Sequence, residues 1–293
     1  MNVIITIPAY NEEKTLGKVI DEINEVMKKE SYNYKILIVD DGSKDKTKEV
    51  AKLNGAIVIS NGRNLGLAET FKKEMEECLK LKADIIVHTD ADGQYPAKYI
   101  PEMIKEIEKG ADLVLGARFG KGKYTGSILK KWGNIAFAKL FSNLLKSKIT
   151  DTTTGFRAFR REIAELPLIN NFTYTQEQLI RAGKSNLTIT EIPIKTNKTR
   201  PSRLFNNPFD YAIKAWINLF RIYRDFEPLK FFGRIGLWIF SVGVAIGLWL
   251  LYLFITTLTI GGHTGFAILS MLLIMVGIQI ILFGFLADMR RGN

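Results

Sequence analysis

Short apolar runs alternate with amphipathic stretches over the first part of the chain, and this alternation predicts the fold. The apolar runs are rich in β-branched side chains, as in strands that are buried on both faces. They cover residues 3–7, 35–39, 56–59, 84–89 and 112–116. The stretches with helical spacing cover residues 13–27, 44–53, 68–79 and 98–108. This order predicts an α/β domain with a mainly parallel sheet covered by helices on both faces.

The C-terminal part has a different pattern, with two long apolar segments separated by a polar turn. Residues 235–287 contain no Lys, Arg, Asp or Glu, and a glycine-rich turn at 261–265 divides them. The resulting segments are 235–257 and 266–287. As helices they would each be about 33 Å long, which suffices for a hydrocarbon core of about 30 Å. They predict a transmembrane hairpin, with a pair of buried soluble helices as the alternative.

Basic residues flank this hairpin only on its outer ends. Lys230 and Arg234 precede it, Arg290 and Arg291 follow it, and the connecting turn has neither Lys nor Arg. The positive-inside rule then predicts an integral membrane protein whose N-terminal domain and both termini are cytosolic. No targeting signal is expected at the N-terminus, because the first apolar run is short and ends at Pro8.

Composition narrows the expected partners and site types. The chain has 293 residues and a formal net charge of +11, which favours anionic partners. Its basic residues cluster around the membrane segments, so acidic lipid headgroups or phosphorylated substrates are expected rather than nucleic acid. Basic amphipathic stretches at 129–148 and 209–226 carry aromatic residues and predict helices at the membrane surface, with packing on the sheet as the alternative. The single cysteine, Cys78, excludes a disulfide within the chain. With only two histidines, a histidine-based metal site is not expected either.

Polar side chains follow four of the predicted strands. In open parallel sheets ligands bind beyond the carboxyl ends of the strands, so these residues are the first candidates for chemistry. They are Pro8, Tyr10 and Glu12 after the first strand, Asp40 and Asp41 after the second, Asp90, Ala91, Asp92 and Gln94 after the fourth, and Arg118 after the fifth.

Asp90 and Asp92 form the most specific of these groups. Two carboxylates one residue apart at the exit of a strand can converge on a hard divalent cation, although an acidic helix cap has the same pattern. A second group lies near the predicted membrane surface, where Arg200, Ser202 and Arg203 form a basic cluster. Arginine binds phosphate through two parallel hydrogen bonds, so this cluster suits a lipid phosphate, with a solvated linker as the alternative.

Taken together, these motifs resemble those of family 2 glycosyltransferases of the polyprenyl-phosphate hexose synthase type. The shared motifs, in chain order, are Pro8-x-Tyr10-Asn11-Glu12, Val39-Asp40-Asp41-Gly42-Ser43, Asn64-x-Gly66, Asp90-Ala91-Asp92-x-Gln94-x-Pro96, Gly116-x-Arg118, Asp151-x-x-x-Gly155-Phe156-Arg157 and Arg200-x-Ser202-Arg203. The resemblance implies a GT-A fold, which is Rossmann-like, and sugar transfer with inversion at the anomeric carbon.

The resemblance also implies roles for individual residues. Nucleotide-sugar binding falls to Pro8, Tyr10, Glu12, Asp40, Asp90, Ala91 and Asp92. Binding of Mg²⁺ or Mn²⁺ falls to Asp90, Asp92 and Gln94. Binding of the acceptor phosphate falls to Arg118, Arg200, Ser202 and Arg203. Catalysis is expected to depend on Asp92, Arg118, Asp151 and Arg200.

The implied partners are a nucleotide-sugar donor and a polyprenyl or dolichyl phosphate in the membrane. Gly93-Gln94-Tyr95 and the compact Arg200–Arg203 motif differ from mannose synthases, which favours a UDP-hexose or UDP-N-acetylhexosamine over GDP-mannose. A phosphate acceptor is already an anionic nucleophile at neutral pH. A hydroxyl acceptor would need a base, for which Asp151 or Glu177 is available, so the role of Asp151 stays open between a base and an orienting group.

Two alternatives remain beside this prediction. A polysaccharide synthase of the same family would carry a tryptophan after Gln178-Leu-Ile-Arg181, where this chain has Ala182. A non-catalytic membrane scaffold or sugar-nucleotide sensor would tolerate loss of Asp90 or Asp92, and both are present. The expected division is a catalytic domain at 1–203 with a possible interfacial helix at 127–148, a juxtamembrane helix at 204–230 and the hairpin at 231–293. Two helices alone anchor a protein weakly, which favours a homo-oligomer.

Overall fold

The computed structural model describes residues 1–118, 142, 149–168, 174–197, 217, 220–221 and 223–289. The chain divides into two compact units, Met1–Asn206 and Asn207–Asn293. Three predicted phosphate-binding residues, Arg200, Ser202 and Arg203, lie outside the described residues, as does all but Ser142 of the predicted helix at 127–148. Within 204–230, the described residues from 217 to 226 are helical.

The first unit is an α/β domain in which each predicted strand forms. Its strands are β1 (Asn2–Ala9), β2 (Asn33–Asp40), β3 (Ile57–Ser60), β4 (Ile85–His88), β5 (Leu113–Ala117), β6 (Arg157–Arg160) and β7 (Ile189–Pro193). Its helices are α1 (Leu16–Met27), α2 (Thr47–Leu53), α3 (Leu67–Lys80), α4 (Ile100–Glu108), α5 (Arg161–Ala164) and α6 (Tyr174–Lys184).

The strands form one mixed sheet in the order β3-β2-β1-β4-β6-β5-β7. Only β6 runs antiparallel to its neighbours β4 and β5, and the other pairings are parallel. The residues of β4 and β5 are fully buried, as expected of strands covered on both faces. The parallel strands bring their carboxyl ends to one edge of the sheet, which confirms the predicted fold class.

Helices α1 and α2 begin three residues later than the sequence pattern predicts, at Leu16 and Thr47. Hydrogen bonds link the two turns that precede these helices. The amide of Glu13 donates to Asp45 Oδ2 at 3.2 Å, and the amide of Lys46 donates to Glu13 Oε2 at 3.1 Å. These bonds fix both loops at the edge of the sheet.

The second unit contains two helices long and apolar enough to cross a membrane, α7 (Pro228–Thr257) and α8 (Thr264–Met289). Their contact is lined by residues seven positions apart, which is the repeat of left-handed helix packing. These are Gly236, Gly243 and Leu250 on α7, and Ser270, Gly277 and Gly284 on α8. A Cβ atom on Gly277 would lie 2.7 Å from the amide nitrogen of Phe240, so the backbones approach too closely for a side chain. Small residues and the hydrogen bond from Ser270 Oγ to the Gly243 carbonyl (2.8 Å) hold the hairpin together.

Candidate active site

Two turns at the carboxyl ends of β1 and β2 interlock and form one platform. The amide of Asn11 donates to Ser43 Oγ at 2.9 Å, and the amide of Lys44 donates to Asn11 Oδ1 at 2.9 Å. The amide of Glu12 donates to Thr47 Oγ1 at 2.8 Å. Reciprocal hydrogen bonds of this kind satisfy the backbone groups of both turns and fix their relative position. The platform carries Pro8, Tyr10 and Glu12, three of the residues expected to bind the nucleotide.

Asp40 and Asp41 are both buried, and each accepts hydrogen bonds from nearby loops. Asp40 accepts from the amides of Gly42 and Ser43 at 3.2 Å and from Ser60 Oγ at 2.8 Å. Lys48 Nζ lies 3.5 Å from the same carboxylate. A base-binding role for Asp40 stays a prediction, since these bonds show the carboxylate holding its own turn.

Asp41 fixes the loop that follows β3. Its carboxylate accepts from the amides of Leu65 and Gly66 at 2.8 and 2.9 Å. Gly42 next to it has φ +73°, and a Cβ atom there would lie 2.5 Å from the carbonyl carbon of Arg63. The turn after β2 therefore needs glycine at this position for both its backbone conformation and its close packing.

Asp90 and Asp92 follow β4 and face the same edge of the sheet. Asp92 Oδ1 accepts from the amide of Gln94 at 2.9 Å. Asp90 is half-buried and packs against Gly155, where an added Cβ would lie 3.3 Å from Asp90 Oδ1. Neither oxygen of Asp90 has a hydrogen-bond partner among the described residues. A carboxylate that is held in place in this way is suited to bind a ligand.

The pKa of Asp90 supports the same interpretation. It is raised to about 6 by burial and by the charge of Asp92, against the opposing charges of His88 and Arg118. A divalent cation between the two carboxylates would remove the repulsion that raises this pKa. No group of three or more His, Cys, Asp or Glu side chains in the described part of the chain is arranged to hold a metal. Two carboxylates at a strand exit suit a cation such as Mg²⁺, which usually keeps oxygen ligands from water and substrate as well.

Arg118, which directly follows β5, forms an ion pair with Asp151. Arg118 Nε donates to Asp151 Oδ2 at 2.7 Å and Nη2 donates to Oδ1 at 3.0 Å. The amide of Arg118 donates to Oδ2 at 3.1 Å, and the amide of Thr153 donates to Oδ1 at 3.2 Å. Asp151 is fully buried, so both of its oxygens are used within the protein.

Two features behind the site have no counterpart in the sequence motifs. Glu191 on β7 accepts from the amides of Thr150 and Asp151 at 2.8 and 3.0 Å, and from the hydroxyl of Thr150 at 2.8 Å. His88, which lies within the predicted strand at 84–89, is fully buried. Its Nδ1 donates to the Gly155 carbonyl at 2.7 Å, and its Nε2 lies 3.3 Å from Glu74 Oε2. Both features support the segment 150–155 that packs on Asp90 and Arg118.

Arg157 lies at the start of β6 and is fully buried. Its guanidinium donates to Gln178 Oε1 at 3.0 Å, to the Thr175 carbonyl at 3.1 Å and to the carbonyl of Thr154. Burial lowers its pKa to about 10, so the group stays charged at neutral pH. Arg157 joins α6 to the segment that carries Asp151.

The fold and motifs agree with comparisons to known proteins. The glycosyl transferase family 2 profile matches residues 4–166. The dolichyl-phosphate hexose transferase of Haloferax volcanii is 36% identical over 194 residues, which cover 65% of this chain and 80% of the relative. The UDP-N-acetylglucosamine–dolichyl-phosphate N-acetylglucosaminyltransferase of Methanococcus voltae is 31% identical over 225 residues, covering 68% and 87%.

A solved structure shows the same fold. Glucosyl-3-phosphoglycerate synthase from Mycobacterium tuberculosis, in complex with Mn²⁺, UDP-glucose and phosphoglyceric acid, superposes with a TM-score of 0.60 at 20% identity. The match covers 76% of this chain and 78% of that one. The fold, the site residues at the strand ends and the family profile lead to one conclusion: this chain belongs to glycosyl transferase family 2 and is a glycosyltransferase.

Proposed function

We propose that this enzyme transfers a sugar from a UDP-sugar to a polyprenyl phosphate such as dolichyl phosphate, with inversion at the anomeric carbon. The observation that carries the proposal concerns Asp151 and Glu177, the two carboxylates that could act as a base for a hydroxyl acceptor. Both oxygens of Asp151 are bound to Arg118 and Thr153. Glu177, the other candidate base, is fully buried and lies 2.8 Å from Arg181 Nη2. Both carboxylates are engaged within the protein, which supports a reaction that takes no proton from a hydroxyl acceptor.

A phosphate acceptor needs no such base. Its second pKa is about 6, so the nucleophilic oxygen is already charged at neutral pH. In the proposed reaction this oxygen forms a bond to the anomeric carbon as the bond to the nucleotide diphosphate breaks, and no proton is transferred. The protein must then position two anionic groups and neutralise their charge. Asp151 in this scheme orients Arg118, which meets the acceptor phosphate together with Arg200, Ser202 and Arg203.

The donor is proposed to lie across the platform formed by the first two βα turns. Pro8, Tyr10, Glu12 and Asp40 would hold the base and ribose, and Ala91 would lie beside them. Asp90 and Asp92, with Gln94, would hold Mg²⁺ or Mn²⁺ against the pyrophosphate. When bound, such a cation stabilises the charge of the departing nucleotide diphosphate. The names of the Haloferax and Methanococcus relatives support a dolichyl-phosphate acceptor, and the second also supports a UDP-linked donor.

The two apolar helices support membrane association, which a polyprenyl acceptor requires. Their basic flanks support a topology in which the catalytic domain and both termini are cytosolic. The proposed divisions remain 1–203, 204–230 and 231–293. The proposal includes a homo-oligomer, which the mass of the protein in detergent tests.

The test is a transfer assay with the full chain in detergent. The enzyme is incubated with Mn²⁺, a short polyprenyl phosphate and labelled UDP- and GDP-sugars, and the product is extracted into organic solvent. Label should enter the organic phase from one UDP-sugar and be lost with Asp92→Ala. Transfer only to a glycolipid or polysaccharide hydroxyl, or nucleotide binding without any transfer, would overturn the proposal.

A further inference from the structure

Glu191 lies on edge strand β7 and binds the segment that carries Asp151. Its carboxylate accepts three hydrogen bonds, from the amides of Thr150 and Asp151 and from the Thr150 hydroxyl, at 2.8 to 3.0 Å. Hydrogen bonds to a charged acceptor are about twice as strong as those between neutral groups. Three such bonds to two consecutive residues fix both the position and the direction of the chain at Asp151.

The two members of the Arg118–Asp151 pair are thereby held by adjacent strands. Arg118 directly follows β5, and β5 is paired with β7 so that Leu115 lies opposite Glu191. Asp151 is held to β7 by Glu191, more than thirty positions along the chain from Arg118 (|i−j| = 33). The ion-pair distances of 2.7 and 3.0 Å therefore depend on β7 as much as on the two residues that form the pair.

We propose that Glu191 is a positioning residue for the acceptor phosphate and acts through Asp151 on Arg118. The inference rests on the proposed function, because Arg118 must meet that phosphate for its position to matter. Without Glu191, two backbone amides lose their acceptor and the Asp151 carboxylate loses its fixed direction. The Arg118 guanidinium then samples more orientations, and charge neutralisation of the acceptor becomes weaker.

The experiment is a double-mutant cycle in the full-length enzyme. Glu191→Ala and Glu191→Gln are made in the wild-type and in the Arg118→Lys background, because lysine cannot form the two-point pair. Glu162→Ala, a change at an exposed residue of α5, is the matched control. Kinetics are measured separately for the polyprenyl phosphate and for the sugar nucleotide, together with hydrogen–deuterium exchange of the peptide that contains residues 150 and 151.

Glu191→Ala should lower kcat/KM for the polyprenyl phosphate about 10- to 100-fold. Losses of this size are typical of residues that hold another binding residue, such as a metal ligand, in its orientation. The KM for the sugar nucleotide should stay unchanged, and Glu191→Gln should recover most of the activity because its carbonyl oxygen still accepts from both amides. In the Arg118→Lys background the loss should largely disappear. Wild-type kinetics for Glu191→Ala, or a full additional loss in the Arg118→Lys background, would overturn the inference.

The exchange measurement separates this inference from the proposed function. If the wild-type enzyme transfers sugar to no polyprenyl phosphate, the proposed function fails. In that case exchange tests the structural step of the inference, that Glu191 fixes the chain at Asp151: faster exchange at residues 150 and 151 in Glu191→Ala, but not in Glu162→Ala, supports that step. Unchanged exchange there refutes it.

Discussion

Arg118 and Asp151 form a two-point ion pair in which Nε donates to Oδ2 at 2.7 Å and Nη2 donates to Oδ1 at 3.0 Å. This geometry fixes the plane of the guanidinium, which a single contact would leave free to rotate. It also uses the lone pairs that a general base would need. The sequence left both roles open for Asp151, and the geometry favours the orienting one.

The first prediction concerns Asp151→Asn. An amide accepts through one oxygen only, so the two-point pair is lost and the Arg118 guanidinium is less well ordered. We expect kcat/KM for a polyprenyl phosphate to fall about 10- to 100-fold. The dependence of the remaining rate on pH should keep its wild-type shape, which initial rates across the neutral range would measure. Loss of a limb of that profile in the variant would instead identify Asp151 as a base.

The second prediction concerns the pH dependence of metal binding. The pKa of Asp90 in the metal-free protein is about 6, chiefly because of burial. Only the ionised carboxylate binds a cation, so the affinity for Mn²⁺ should fall as the pH is lowered through this value, by up to about tenfold per pH unit. Calorimetry in two buffers of different ionisation enthalpy should also show a proton released on binding.

Asp92→Asn provides the control for that titration. It removes one of the charges that add to the effect of burial on the pKa of Asp90, so the fall in affinity should move to lower pH even though binding is weaker overall. An affinity for Mn²⁺ that stays constant well below pH 6 in the wild-type enzyme would contradict the assignment of Asp90 as a ligand.

The sheet could be predicted because each strand is marked by residues that are close together in the sequence. Buried parallel strands such as β4 and β5 are short apolar runs, and their polar exits at Asp90 and Arg118 are visible in the chain itself. Strand β6 was not predicted, because Arg157–Arg160 has arginine at both ends and no apolar run. Its burial depends on Gln178 and Thr175, which only the folded chain brings to Arg157.

The same distinction separates the site residues that motifs identify from those that they miss. Asp90 and Asp92 are one residue apart, so their joint role is visible in the sequence. Glu191 is about forty positions from Thr150 and Asp151 and binds mainly their backbone amides, which carry no sequence signal at all. The Glu74–His88 contact is also not visible in the sequence, because the two residues lie on different elements, Glu74 on α3 and His88 on β4.

The third prediction uses a matched pair of glycines. Gly42 and Gly55 have φ of +73° and +77°, so alanine at either costs about 1–2 kcal/mol in backbone strain. A Cβ at Gly42 also lies 2.5 Å from the Arg63 carbonyl carbon, whereas a Cβ at Gly55 has nothing within 4 Å. Gly42→Ala should therefore displace the loop after β3 and lower kcat/KM for the sugar nucleotide on the order of 10²-fold.

Gly55→Ala should lower the thermal stability of the enzyme. In the same kinetic assay it should leave kcat/KM for the sugar nucleotide near the wild-type value. Equal kinetic losses in the two variants would show that strain alone, and not the contact between the two loops, accounts for the effect.

The last prediction concerns the apolar hairpin. A Cβ on Gly277 would lie 2.7 Å from the Phe240 nitrogen and 2.8 Å from the Gly236 carbonyl oxygen, both of which are backbone atoms that cannot rotate away. Gly277→Ala should therefore push α7 and α8 apart and destabilise the hairpin by about 1–3 kcal/mol. Gly233→Ala, where a Cβ would have nothing within 4 Å, is the matched control. Thermal unfolding in detergent can be followed by tryptophan fluorescence, because Trp238 and Trp249 lie on α7. A lower midpoint for Gly277→Ala alone is expected, and equal midpoints would show that close packing at Gly277 does not stabilise the hairpin.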